Sequence, residues 1–98
     1  MGLGLVLRDE RCGVIRREPD SVELARALPE FDDSNFPYLR LVDPYGDTIF
    51  SGYQLEHAVL AEIEALAARR PSESMSLLLE MARHAASDVH TYLVFVGD

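Results

Sequence analysis

The stretch from Tyr38 to Leu66 constrains this chain most, because it reads without interruption as strand, tight turn, short strand and capped helix. Apolar residues run almost continuously through Tyr38-Leu39-Arg40-Leu41-Val42, which predicts a central strand covered on both faces. Asp43-Pro44-Tyr45-Gly46 has the residue order of a type I turn, with Gly46 expected at positive φ at the start of a bulged hairpin. Asp47-Thr48-Ile49-Phe50 is the expected return strand. Ser51-Gly52-Tyr53-Gln54 then matches a capping box that opens a helix. Within that helix Leu55, Val59, Leu60, Ile63, Leu66 and Ala67 fall on one arc and form a core stripe. Ala58, Ala61, Ala65 and Ala68 make a second, small-residue surface, and Glu56 reads first as a solvated acid favouring the helix dipole.

The remaining segments supply partners for this unit. Leu3, Leu5 and Leu7 alternate with smaller residues as a strand with one strongly apolar face, and Val14 to Arg17 resumes a β-prone run after a polar connection. Asp20-Ser21-Val22-Glu23 is a second capping-box arrangement, opening a short helix that Pro29 closes. Arg69-Arg70-Pro71-Ser72 ends one long helix and begins another, forming an αα-hairpin. The second long helix is apolar over more than half its circumference, so it needs two neighbours; the sheet and the first long helix, or a homodimer partner, would supply them. Thr91 to Val96 is the strongest β signal in the chain. The expected fold is a single α+β domain over residues 1–98. It has one mixed or antiparallel sheet of about five strands in the order β-β-α-β-β-α-α-β, with the αα-hairpin packed on one face.

Composition excludes several kinds of chemistry. The 98 residues carry 17 acids against 9 basic residues, for a net charge of −8, and every basic residue is arginine. Without lysine there is neither a Schiff base nor a P-loop lysine. An acidic surface repels phosphates, so nucleic acid is not an expected partner and a basic protein is. Cys12 is the sole cysteine, which rules out an internal disulfide or a thiolate zinc cluster. His57, His84 and His90 lack zinc-motif spacing, and no metal or other cofactor is expected. No apolar run approaches a membrane span and no export signal is visible, so the expected location is the cytoplasm. No catalytic motif stands out, and the expectation is a protein that is not an enzyme.

Two sets of residues are candidates for recognition. Glu30, Phe31, Asp32, Asp33 and Phe36 form an aperiodic loop in which acids surround aromatics, the composition of a binding segment; Tyr45 and Asp47 in the next turn extend it. The bland reading makes the two Phe side chains anchors over the core edge. The alternative set, Tyr45, Asp47, Tyr53 and Glu56, would line a small-molecule or enzymatic pocket between the central hairpin and the long helix.

Asp43-Pro44-Tyr45-Gly46-Asp47-Thr48-Ile49-Phe50, with the helix behind it and a closing strand from Tyr92 to Asp98, resembles a segment of small uncharacterised bacterial proteins. That resemblance covers about the last 60 residues and implies no activity. Size and acidity also resemble those of immunity proteins, which block a toxin by binding it. That likeness implies a non-catalytic inhibitor or adaptor for a basic protein partner.

Overall fold

In a computed structural model, which describes residues 2–88 and 90–97, β1 (Leu3–Asp9) and β2 (Val14–Ser21) form an antiparallel hairpin. Asp98, the last residue of the expected closing strand, lies outside the described residues. The hairpin loop turns at Cys12, whose φ of 63° is the only positive value among the described residues. Asp9 organises it, its Oδ1 accepting from the amides of Arg11 at 2.9 Å and Gly13 at 2.8 Å. A three-residue loop of this kind needs a left-handed residue at its third position, where glycine is the usual choice. Here the glycine falls one place later.

Ser21 ends β2 and caps α1 (Val22–Ala27), its Oγ accepting from the amide of Leu24 at 3.0 Å. The cap is therefore Ser21 rather than Asp20. After β3 (Asp47–Ser51), the capping box forms as expected, with Ser51 and Gln54 reciprocally bonded. It opens α2 (Gly52–Gln54), which runs through a π-turn at Leu55–Val59 into α3 (Leu60–Arg69). Ser72 caps α4 (Glu73–Ala86), and β4 (Thr91–Val96) follows.

Among the described residues four strands form one antiparallel sheet in the order β2-β1-β4-β3, giving an α+β fold. Leu3, Leu5, Leu7, Leu93, Phe95 and Phe50 point into a single core, where Phe50 and Phe95 meet edge to face at 5.9 Å. Helix α4 packs against β1 and β4 on one side and against α3 and the π-turn on another. Its buried residues Met75, Leu78, Met81, Ala82 and Ala85 therefore find their neighbours inside the chain. The small-residue surface of the preceding helix, Ala61, Ala65 and Ala68, faces solvent.

The central strand expected at Tyr38–Val42 is not a strand. Leu39–Leu41 is a 3-10 turn, so the expected fifth strand and the hairpin built on it are absent. Three residues per turn bring Phe36, Leu39 and Val42 to one side, and these are the residues that reach the core. The carboxylate of Glu62 on α3 accepts from the amides of Tyr38 at 3.2 Å and Leu39 at 3.0 Å, satisfying donors that a sheet would otherwise have taken. The following turn does form, held by the Asp43 side chain, which accepts from the Tyr45 amide at 2.8 Å. Gly46 does not occupy positive φ. Its carbonyl accepts from Gly97 at 2.9 Å and ties the turn to the end of β4.

Candidate functional site

A hollow of about 430 Å³ lies where β2 ends and the first turns of α1 and α4 converge. Its floor is apolar, made by Leu5, Leu24 and Leu77, and its walls carry Glu18, Asp20, Glu23 and Glu73. Local folding rules explain why acids gather here. Ser21 and Ser72 are both N-caps, and the caps are followed by Glu23 and Glu73 in the first turns of α1 and α4, where a negative charge favours the helix dipole. The two helix starts are then stitched together: Ser21 Oγ and Ser74 Oγ lie 2.9 Å apart, and the Ser74 amide donates to Glu23 Oε1 at 3.3 Å.

Those bonds give the four acids different duties. The Ser74 amide, then the Ser74 and Ser72 hydroxyls, hold the Glu23 carboxyl below the usual glutamate range. Glu18 accepts from Arg16 Nη2 at 2.9 Å, while Arg16 Nη1 reaches Glu80 at 3.0 Å. Hydrogen bonding to Glu18 and then to Glu80 raises the Arg16 pKa above its ordinary value. Asp20 and Glu73 have no ion-pair partner among the described residues. An apolar floor below free carboxylates suits the alkyl stem and charged head of an arginine or lysine side chain. Among the described residues, no three His, Cys, Asp or Glu side chains are grouped to hold a metal ion.

The recognition residues named from sequence are scattered. Phe36 is 4% exposed and packs in the core with the Arg69 guanidinium 5.7 Å from its ring centroid, so it is an anchor of the fold and not an exposed contact. Phe31 is 78% exposed, its carbonyl accepting from Arg40 Nη1 at 3.1 Å. Glu30 and Asp33 shape the loop: the Glu30 carbonyl accepts from the Asp33 amide at 3.1 Å, and Asp33 Oδ1 accepts from the Asn35 amide at 3.0 Å. Asp32, Tyr45 and Asp47 are exposed.

The alternative set does not converge on a common pocket. The Tyr53 and His57 rings meet at a tilt of 48° with centroids 4.3 Å apart, in a shallow hollow shared with Tyr38 and Gln54. Tyr45, Asp47 and Glu56 are not among the residues lining that hollow. The hairpin that was to form its other wall is missing, and Glu56 faces solvent. Glu80, spaced to pair with His84 along the helix, bonds Arg16 across to β2 instead.

Sequence reasoning missed the acidic groove itself. The two Ser-then-Glu helix starts were visible, but their meeting, 51 residues apart between Glu23 and Ser74, is a tertiary event. Compared with protein-family models, curated proteins and solved structures, the chain has no significant match to any of them.

Proposed function

We propose that the chain is a non-catalytic protein-binding domain, an immunity-like inhibitor or adaptor, that captures a basic segment of its partner in the groove between α1 and α4. The observation that carries this reading is the pairing of an apolar floor, Leu5, Leu24 and Leu77, with the free carboxylates of Asp20 and Glu73. The net charge of −8 adds long-range steering towards a basic surface. Arg16 shows the recognition in miniature, since its guanidinium already bridges Glu18 and Glu80 at the groove's border.

Titration of isotope-labelled protein with an arginine-rich peptide, followed by amide NMR, tests this. Saturable shifts centred on residues 18–24 and 73–77 are expected, and Asp20→Asn with Glu73→Gln should weaken binding by about tenfold and flatten its salt dependence. Shifts spread over every acidic surface, with no saturation, would refute it. A second reading is favoured by the exposure of Phe31 beside Asp32: the loop at Glu30–Asp33 is the contact, in which case the shifts centre there and Phe31→Ala accelerates dissociation.

A further inference from the structure

The sheet ends in β2 on one side and β3 on the other, and the two edges are built differently. β2 carries the devices that blunt an edge: register shifts between Leu3 and Leu5 and between Leu7 and Arg8, a proline at Pro19, and the charged row Arg16, Arg17 and Glu18. β3 has no shift, no proline and a single charge, Asp47 at its start. Its middle residue is Ile49, 54% exposed.

One hydrogen bond fixes which backbone groups of β3 look outward. The Gly97 amide donates to the Gly46 carbonyl at 2.9 Å, and the register with Asp47 opposite Val96 makes these two residues direct partners. Bonded and non-bonded pairs alternate along an antiparallel ladder, so Thr48 and Phe50 turn their N–H and C=O towards β4, whereas Asp47 and Ile49 turn theirs away. Ser51 follows the same alternation: its amide donates to Gln54 Oε1 at 2.9 Å, outside the ladder. Among the described residues no hydrogen bond reaches the outward groups of Asp47 and Ile49. Such a row is complementary to an extended backbone. The surroundings set its charge. Between Arg40 and Arg69 the chain has no arginine or lysine and carries Asp43, Asp47, Glu56, Glu62 and Glu64. The hollow beside Ile49 is lined by Arg8 but also by Asp9 and Glu10, so it too is net acidic.

We propose that the open edge of β3 receives an extended, basic segment of a partner protein as an added antiparallel strand. The partner residues opposite Ile49 and Asp47 each exchange two main-chain bonds with β3, and a basic side chain at the second sits across from the Asp47 carboxylate. A second copy of this chain is a poor occupant, because β3 against β3 brings the acids of two chains of net charge −8 together. The edge is separate from the α1–α4 groove, so it adds a second mode of recognition to the one proposed there.

The probe is the acetylated, amidated pentapeptide Thr-Val-Thr-Arg-Thr, titrated into isotope-labelled protein and followed by amide NMR and hydrogen exchange. In the free protein the Asp47 and Ile49 amides should exchange at least about tenfold faster than those of Thr48 and Phe50. Peptide should shift residues 47–51 saturably and slow exchange at Ile49. N-methylation of the peptide's valine, whose amide faces β3, should weaken binding by about tenfold or more, whereas a methyl on the next threonine, whose amide faces away, should change it by less than about threefold. Ile49→Pro removes the central donor while leaving the bonds to β4 in place, and should weaken binding by about tenfold; Asp47→Asn should weaken it by about threefold and flatten its salt dependence. Circular dichroism checks that both variants are folded, and the methylated peptides need no substitution in the protein. A protected Ile49 amide in the free protein, no saturable shift at residues 47–51, or equal binding by the two methylated peptides overturns the proposal. Shifts confined to residues 18–24 and 73–77 overturn it too, while leaving the groove reading intact.

Discussion

Replacing Gly52 with alanine tests how α2 seats against the end of α4. Gly52 is the first residue of α2 and is buried. A Cβ built on it would lie 2.5 Å from the Ala85 carbonyl oxygen, with the Asp88 carbonyl oxygen nearer still. Ordinary contact begins near 3.4 Å, so one backbone must retreat by roughly 0.9 Å in an interior packed to crystal-like density. The obstacle is rigid, because the Ala85 carbonyl already accepts the Asp88 amide at 3.2 Å in the closing turn of α4. Overpacking of this kind costs about 1 to 3 kcal/mol, and the helix propensity gained by alanine returns at most about 1 kcal/mol. We expect a net loss near 2 kcal/mol, which for a domain of this size lowers the thermal midpoint by roughly 8 to 16 °C. Thermal and urea unfolding followed by circular dichroism measure it, with the urea slope unchanged. Gly46→Ala is the control, since a Cβ there meets only the Asp43 side chain, and it should cost less. A Gly52→Ala midpoint equal to or above that of the parent would show that the close approach does not exist.

Two other expectations concern the hairpin and the groove. At Cys12, φ of 63° tolerates asparagine far better than a β-branched residue, so Cys12→Asn should leave stability equal or raised by up to about 1 kcal/mol while Cys12→Val lowers it by about 1 to 2 kcal/mol, read from urea midpoints. Glu23 has a folded pKa lowered by hydrogen bonds from Ser74 and Ser72, so its contribution to stability is fully present above the ordinary glutamate range and lost as pH falls through the folded value. Unfolding titrations of the parent and Glu23→Gln should therefore differ most at neutral pH and converge in acid. Curves that stay parallel down to the acid limit would refute the assignment.

Much of the framework was legible because repeating patterns outlast local exceptions. Leu3, Leu5 and Leu7 announce a strand by alternation, and Leu55, Val59, Ile63 and Leu66 announce a helix face, each over enough residues to average out chance. Tyr38–Val42 failed because five residues cannot distinguish a period of two from a period of three, and Glu62, far along the chain, supplied the hydrogen bonds that decided between them. The left-handed turn of the first hairpin falls on Cys12, one place before Gly13, and a cysteine carries no signal for that backbone conformation. Gly52 gives no signal of its own inside the capping box, because its reason lies in a carbonyl 33 residues away at Ala85. The groove escaped for the same reason as Gly52: helix starts are local and their convergence is not. Among the recognition residues, only the burial of Phe36 was foreseen by the bland reading of its loop.

The strand order carries a consequence for how the sheet assembles. Among the described residues β3 pairs only with β4, and β4 also supplies the inner neighbour of β1, so β4 is the strand that joins β3 to the β1–β2 hairpin. A chain emerging from the ribosome can hold the β1–β2 hairpin and its helices while β3 waits without a partner. Closure then joins segments 90 positions apart, as in the Leu5–Phe95 pair, which favours slow, all-or-none folding and leaves the β4-facing edges of β1 and β3 open to foreign strands until it is complete.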